Sequence, residues 1–575
     1  MPGQEQGPAT GTFSCVVDAH PRFHLDALRW FASLTRLAGV DPADLVIHAV
    51  GPARTDVLEW LRARRVAIRE IQPFDTRSPH CNKIAGALSL AAEKPQGLSV
   101  LTDSDVVMFE DPRQIQAPAD KVGMTPVDMA NPPLEILAAV FGAAGLPLPR
   151  RTAIRWQPGE STAAGNGNGG LYLVPGALLP DVARAWAQWS RWLLARSELL
   201  AAWAMHVDQV AMAIALAAEG IETFELDVRW NMPIHVPSII PPDPPIPAAI
   251  HYHQRVDTAG RIASTGFAAI DRRIEDANAA LGDLWRENFP NATFWEWRYL
   301  TDPDLGSGVG SRGQPLQDKR ALLAALLDVA RPASVLDVGC GDGEATRGLP
   351  IASYVGLDPS AAAVRRARAG RPDGDYRIGT LADHPVQADL TLCLDVLIHQ
   401  ADAASYRDLV GRLLRSAARA LVISGYEHPI PAVFPTVHFH EPLSATLRRC
   451  EPEAEIHPLR EEHQVTTLLV LKGPPDRRPG DLRAGLLAAM VELLSQRAAQ
   501  IGELLEQRDA AAAEAHRRLG DNQRLAEENR ALAAVQSRLY AELERWRQRV
   551  AAMEATRAFR WRAWLLRWRR ARRQD

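Results

Sequence analysis

The run Val335-Leu-Asp-Val-Gly-Cys-Gly-Asp-Gly343, followed by Gly356-Leu-Asp-Pro-Ser360, constrains this 575-residue chain more than any other feature. Its apolar start predicts a strand, its glycines a tight turn into a helix, and the second segment a strand ending in an acid. Asp337 and Asp358 stand 21 residues apart, about the spacing at which a parallel nucleotide-binding sheet reaches ribose hydroxyls. Gly339, Gly341 and Gly343 let backbone approach a ligand where any Cβ would collide. The spacing is G-x-G-x-G, not the dinucleotide pattern G-x-G-x-x-G.

A chain of this length exceeds one ordinary core and implies three or four structural units. Hydrophobic residues at 47% and charged residues at 23% place it among soluble globular proteins. Cys15, Cys81, Cys340, Cys393 and Cys450 form no C-x-x-C pair. So sparse a set fits a reducing cytoplasm and argues against a disulfide framework or a zinc site. The start, MPGQEQGPATGT, has no apolar run of the secretory-signal type, and no window offers the roughly 18 clean apolar residues of a spanning helix. Charge is uneven: residues 557–575 hold eight arginines and one acid, so a net charge of −4 leaves about −11 for the rest. A basic tail on a mildly acidic body points to an acidic partner surface.

From 12 to 255, short apolar runs alternate with amphipathic stretches. Thr12–Val17, Leu45–Val50 and Leu98–Thr102 read as strands, and Leu25–Leu37 and Val57–Arg65 as helices. This predicts an α/β domain with a largely parallel sheet. A connecting helix is expected within 256–284 and a second α/β domain over 285–471, with strands at Ser334–Val338, Tyr354–Leu357, Leu390–Leu394, Ala420–Ser424 and Thr466–Leu471. After a Pro/Gly linker at 473–480, Leu487, Leu494 and Ile501 recur every seven residues, and the register resumes at Leu525, Leu532, Leu539, Trp546 and Met553. This spacing over 481–556 predicts an α-helical coiled coil and a possible homo-oligomer, the alternative being a helix packed on its own domain. In 557–575, Trp561, Trp564, Leu565 and Trp568 share one helical face among arginines, which suits an anionic membrane surface. A protein partner or nucleic acid remains as an alternative, nucleic acid being the least favoured.

The glycine run resembles motif I of class I S-adenosylmethionine-dependent methyltransferases. The resemblance implies that Asp358 accepts both ribose hydroxyls, that Gly339–Gly343 approach the methionine part, and that Asp337 helps hold its ammonium group. Asp383, in Gly379-Thr-Leu-Ala-Asp-His384, is the candidate for the adenine amino group, although the family often has an acid where this chain has Thr380. Asp395 and His399 end the fourth strand, where such sheets bind ligand. A near-neutral imidazole makes His399 the candidate general base for an acceptor hydroxyl, with a structural hydrogen bond as the bland alternative. Upstream, Phe294-Trp-Glu-Trp-Arg-Tyr299 and Gly306-Ser-Gly-Val-Gly-Ser-Arg-Gly313 resemble a W-x-x-R-Y plus S-G-x-G-S module of a bacterial group linked to polysaccharide loci. His438-Phe-His440 loosely resembles its distal histidine segment.

Asp103-Ser-Asp105 closes an apolar strand, and two carboxylates so spaced can both reach a hard divalent cation that binds diphosphate. Its setting, Leu101-Thr-Asp-Ser-Asp-Val-Val-Met-Phe-Glu-Asp111, resembles GT-A-fold glycosyltransferases. Other segments then follow in that family's order. Asn166-Gly-Asn-Gly-Gly-Leu-Tyr-Leu173 resembles the N-x-G loop and nominates Asn168 and Gly169. Val207-Asp-Gln-Val210 nominates Asp208, as a catalytic group, and Gln209, near donor sugar or acceptor. Ile250-His-Tyr-His253 supplies the late histidine; His251 and His253 share one strand face, which leaves either open as the metal ligand. Asp18, closing the first strand, is expected near the nucleotide, and Lys83 near the donor pyrophosphate.

The expectation is therefore α/β: a GT-A-like (Rossmann-like) domain plus a class I methyltransferase Rossmann-like domain, then a coiled coil. The implied ligands are a nucleotide-sugar donor, a glycan or lipid-linked glycan acceptor, Mn²⁺ or Mg²⁺, and S-adenosylmethionine. The implied setting is bacterial surface-glycan assembly, in the cytoplasm at the inner face of the cell membrane. The alternatives are a methyltransferase of a small molecule or nucleic acid with a degenerate sugar-nucleotide domain, or a membrane-tethered scaffold.

Overall fold

Short, nearly continuous apolar runs build two seven-stranded sheets in this computed structural model. It describes residues 10–51, 54–430, 436–462 and 464–472, with 506–512, 514, 531–532, 534–539, 541–542 and 545. Met1–Leu486 forms one compact unit that holds both sheets, and Leu487–Asp575 forms another.

The first lobe runs through β1 (Gly11–Val17), α1 (Pro21–Ala32), β2 (Leu45–Val50), α2 (Asp56–Ala63), β3 (Ala67–Ile71), α3 (Asn82–Ala91), β4 (Leu98–Thr102), β5 (Val106–Met108) and β6 (Lys121–Pro126). It continues with α4 (Leu134–Ala143), β7 (Arg151–Ala153), β8 (Ser161–Ala163), β9 (Gly167–Pro175), α5 (Leu179–Leu194), α6 (Val207–Glu219), β10 (Glu222–Glu225), β11 (Met232–Pro233) and β12 (Ala249–His251). The sheet order is β10-β6-β9-β4-β1-β2-β3, in which β9 pairs antiparallel with both neighbours and the other pairs are parallel. Phe13, Cys15 and Val17 of β1 face one core and α1, while Val46 and Leu101 face another under α3, α5 and α6. This two-sided burial is what a parallel sheet requires. A small sheet, β11-β12-β5, pairs His251 with Val106 and so lays the late histidine beside the residue after Asp105.

The segment expected to connect the domains is not a spacer. The helix begins only at α7 (Ala268–Glu287), because Asp271 accepts from Ser264, Thr265 and Gly266 and ties residues ahead of it into a turn. Leu281, Leu284 and Trp285 of α7, with Phe294 and Trp297 of α8 (Asn291–Thr301), belong to the first lobe's core beside Phe13 and Trp30. Asp56 of α2 accepts from the N–H groups of Ala292 and Thr293 and from the Thr293 hydroxyl, and so caps α8 from the other lobe.

The second lobe continues with α9 (Gly313–Ala330), β13 (Val335–Val338), β14 (Tyr354–Asp358), α10 (Ala361–Gly370), β15 (Asp375–Ile378) and β16 (Ala388–Cys393). It ends with α11 (Ala403–Ser416), β17 (Ala417–Tyr426), α12 (Leu443–Cys450), β18 (Glu455–Glu462) and β19 (Val465–Leu471). Its order is β15-β14-β13-β16-β17-β19-β18, with β19 antiparallel to both neighbours. All five strands expected here are present, each within a few residues of its expected bounds.

One stretch among the described residues, Ser197–Glu219, is by length and mean hydropathy apolar enough to cross a membrane, although Glu198, His206, Asp208 and Gln209 interrupt it. It folds as a 3₁₀ run followed by α6, whose Val210, Ile214 and Leu216 are core residues of the first lobe. The described residues between 506 and 545 are helical, and Leu532, Val535 and Leu539 among them are exposed. The other heptad positions and the basic segment 557–575 lie outside the described residues.

Candidate functional sites

The first cleft, about 440 Å³, opens at the end of β4. Lys83, carried by α3, pairs with Asp103 at 2.6 Å and Asp208 at 3.3 Å, and its Nζ donates to the Gly169 carbonyl at 3.3 Å. A Cβ on Gly169 would stand 2.8 Å from that Nζ, and one on Gly170 would stand 2.5 Å from His251 Nδ1. The paired glycines thus let β9 pass between lysine and histidine. Burial would lower the Lys83 pKa, but Asp103 and Asp208 outweigh it and hold the ammonium charged. Asn168 donates to Asp128 at 2.6 Å, Asp18 accepts from Asn82 at 2.9 Å, and Asp18, Asn168, Asp208 and Gln209 all line the cleft.

Asp105 faces His251 at 3.3 Å and His253 at 4.0 Å, and one ligand atom from each of the three lies within 4.8 Å of the others. Strand alternation alone does not place the histidines. β12 stops at His251, Tyr252 turns inward to donate to Asp26 at 2.7 Å, and a left-handed φ of 50° at His253 brings its ring back against His251, centroids 3.9 Å apart. Asp103 contacts His251 less closely, at 3.9 Å, because Lys83 claims it. Burial opposes ionisation of Asp105, yet the neighbouring His251 outweighs it and holds the carboxyl below its usual range.

Two residues here escaped sequence reasoning. His235 sits 3.8 Å, centroid to centroid, from His253, and Asp128 is buried and pushed up to about 7 by desolvation. His235 lies in a proline-rich stretch and Asp128 in no motif, so neither carries a local signal. His251 Nδ1 and Nε2, His253 Nε2, His235 Nδ1 and Asp128 Oδ1 are all buried without hydrogen-bond partners. Such a concentration of unspent acceptors and ring nitrogens fits a divalent cation.

The second cleft, about 330 Å³, lies at the ends of β13, β14 and β16. Gly339, Gly341 and Gly343 have φ of 74°, 56° and 72°. A Cβ on Gly341 would stand 2.5 Å from Ser307 Oγ and 2.6 Å from Tyr299 Oη, so a side chain there meets the upstream module directly. That module folds over the turn: Tyr299 Oη and Ser307 Oγ are 2.5 Å apart, Ser307 donates to Asp342 at 3.0 Å, and Arg312 pairs with Asp342. Gly343 stands outside the cleft wall and instead packs against Ala367 of α10.

Asp358 accepts from the N–H groups of Gly341 at 3.0 Å and Ser360 at 2.9 Å, and burial pushes its carboxyl up to about 7 against them. Asp337 accepts from Tyr354 Oη at 2.8 Å and is pushed up to about 6 by burial. Asp395, at φ 59°, is held by Ser424 Oγ at 2.9 Å and by an ion pair with Lys319, a lysine that the motif reading missed. His399 lines the cleft, and its Nδ1 lies 2.6 Å from the Thr436 carbonyl. A carbonyl only accepts, so Nδ1 carries the proton and Nε2 keeps its lone pair, while burial lowers the pKa. Asp383 is not brought in: its carboxylate caps Thr380 at 2.8 Å through N–H and Oγ, and Thr380, Leu381 and Ala382 form the wall instead.

Residues 14–220 match the family model of the Rhodobacterales glycosyltransferase domain, and residues 336–426 match that of a methyltransferase domain. Among curated proteins none matches this chain. Magnesium protoporphyrin IX methyltransferase (ChlM) from Synechocystis PCC 6803 with bound SAH is a similar solved structure, 20% identical over 33% of this chain and 99% of that one, TM-score 0.26. N-methyltransferase NodS from Bradyrhizobium japonicum WM9 with S-adenosylhomocysteine is 15% identical over 32% and 98%, TM-score 0.27. The chain thus joins a glycosyltransferase domain to a methyltransferase domain.

If Asp358 accepts the ribose hydroxyls, as the sequence resemblance implies, it does so most strongly when ionised, and burial pushes its carboxyl up to about 7. Affinity for S-adenosylhomocysteine should therefore weaken as pH falls from about 8 to about 6, by up to about ten-fold per unit once below the titration. Calorimetry across that range checks this. A flat profile in the wild type, or an unchanged slope in Asp358→Asn, would rule out the assignment.

Proposed function

We propose that this chain is a bifunctional transferase of bacterial surface-glycan assembly. The first lobe transfers a sugar from a nucleotide-sugar to a glycan or lipid-linked glycan, with a divalent metal (Mn²⁺ or Mg²⁺). The second methylates a glycan hydroxyl from S-adenosylmethionine. The observation that carries the reading is the convergence of Asp105, His251 and His253 beside the Lys83–Asp103–Asp208 network, in the same compact unit as a glycine turn backed by Asp358.

In the first cleft, Asp105, His251 and His253, with Asp103, would hold the cation, which when bound neutralises a donor diphosphate. Lys83 now neutralises two carboxylates, and a diphosphate entering beside it gains a charge-assisted partner. Asp208, beside Lys83, and Asn168 also line the cleft, placed to orient sugar hydroxyls. In the second cleft, Asp358 would bind the ribose and Gly339 and Gly341 would admit the methionine part, while the cofactor supplies an electrophilic methyl. His399 Nε2 would take the proton of the acceptor hydroxyl, since Nδ1–H is fixed by Thr436. Methyl transfer asks for little beyond this alignment.

Calorimetry of the full chain with S-adenosylhomocysteine and a nucleotide-sugar panel, with and without Mn²⁺, tests the whole reading. Both should bind, the sugar nucleotide only with metal; no metal-dependent binding to any member would leave the first lobe without its assigned role. His399→Gln should keep cofactor affinity and lose methyl transfer by about 10²–10⁴-fold. Retained turnover would reduce His399 to a structural hydrogen bond.

The arginine–tryptophan face of 557–575 supports docking at the inner leaflet, in the cytoplasm. Deleting 557–575 should abolish co-sedimentation with phosphatidylglycerol vesicles; binding that survives would place the anchor elsewhere.

A further inference from the structure

His251 and His253 flank Tyr252, and the way that residue is tied down governs where both rings stand. In a continuing strand, residues two apart project from one face roughly 6–7 Å from each other. Here the two imidazoles are nearly parallel, at 17°, with centroids 3.9 Å apart. The difference is the left-handed backbone of His253, at φ 50°. A non-glycine residue in that conformation is strained and persists only where its surroundings over-determine it.

Tyr252 supplies the constraint at three points. Its side chain is fully buried, and its Oη donates to Asp26 Oδ1 at 2.7 Å. Its N–H donates to the Asp105 carbonyl at 3.1 Å, and its own carbonyl accepts from the Arg255 N–H at 3.0 Å, which closes a turn around His253. The residue before Tyr252, the residue after it and the residue whose carbonyl it bonds are the three that converge as cation ligands. Neither Tyr252 nor Asp26 lines the cleft itself.

The far end of the tether is fixed as well. Asp26 is buried on α1 and also takes Arg29 at 2.7 Å and Arg22 at 3.4 Å. Arg29 donates from Nε and Nη2 to the Gly260 carbonyl at 3.0 and 2.6 Å. A Cβ on Gly260 would stand 2.9 Å from the Trp285 ring, so that carbonyl is pressed against a core tryptophan. The Tyr252 hydroxyl therefore bonds an acceptor that does not follow it if the turn slips. Phenylalanine would fill the same space, so what the hydroxyl adds is direction rather than volume.

We propose that Tyr252, anchored through its hydroxyl to Asp26, is a positioning residue of the cation site: it holds His253 in the left-handed conformation and so keeps Asp105, His251 and His253 together. The inference rests on reading the first lobe as a metal-dependent glycosyltransferase.

Electron paramagnetic resonance of Mn²⁺ titrated into the full chain, alone and with one equivalent of UDP or GDP, reads the site without turnover. Tyr252→Phe should weaken Mn²⁺ by about 10–100-fold, the loss typical when an outer partner of a metal ligand is removed. Asp26→Asn keeps an acceptor oxygen for the hydroxyl and should fall between, and it carries the test if the phenylalanine variant does not fold. Affinity for S-adenosylhomocysteine, governed by the other lobe, should stay at the wild-type value in both variants. A hydrogen bond that only stabilises the fold would lower the melting temperature and leave Mn²⁺ affinity unchanged, and that result overturns the inference. Failure of the wild type to bind Mn²⁺ under either condition overturns the metal-dependent reading instead, and this inference falls with it.

Discussion

The aromatic seam made by Trp285, Phe289, Phe294 and Trp297 is the contact on which the arrangement of both clefts depends. Trp285 meets Phe289 and Phe294 edge-on at 5.4 and 5.6 Å, and Phe289 meets Phe294 at 5.0 Å. All four side chains are buried in one core with Phe13, Trp30 and Leu61 of the first lobe. Burying each is worth about 1.5–3 kcal/mol, and each ring pair adds about 0.5–1.5 kcal/mol. No surface ion pair among the described residues competes with that sum. Helix α8 is therefore fixed to the first lobe as firmly as that lobe's own helices.

From that fixed position α8 reaches into the second lobe. Glu296 accepts from Ser360 Oγ and the Ala362 N–H at the start of α10, and Asn291 donates to the His399 carbonyl. Trp295 and Tyr299 line the second cleft, while Trp297, Arg298 and Thr301 line a cavity whose other wall includes Arg22 and His253 of the first lobe. One helix thus lines both the second cleft and the cavity between the lobes. The two clefts also share a physical device. Each holds buried carboxylates whose ionisation burial opposes, Asp128 in one and Asp337 and Asp358 in the other. In each case donors within the chain offset part of the desolvation: Asn168 for Asp128, Tyr354 for Asp337, and the Gly341 and Ser360 N–H groups for Asp358.

Much of this was legible in the sequence because local pattern and local structure coincide. The glycine run, both acids of the second sheet and the D-x-D pair sit at the ends of short apolar runs, which announce buried strands. Lys83, Asp208 and Asn168 fell into place because they follow motifs in a fixed order. Where tertiary contact decides, the pattern was silent. The helical spacing of 268–287 shows a helix but not whose core it enters, so Trp285 reads equally well as the start of the second domain or the end of the first. His235, Asp128 and Lys319 reach their sites across long sequence separations, with no periodic signature to mark them. Asp383 misleads for the opposite reason: an acid three residues after Thr380 closes its own turn and satisfies itself locally. The resemblance supplied Asp395 and His399 their neighbourhood, but only the Thr436 carbonyl reveals which imidazole nitrogen is free.

The seam has a consequence for inheritance. Fused enzymes are commonly pictured as beads that recombination can trade one at a time. Here a crossover placed in the apparent joint would strip one partner of its greasy plug and the other of its roof, leaving two sticky remnants. The halves of this chain are bound to drift together, as a single heritable piece.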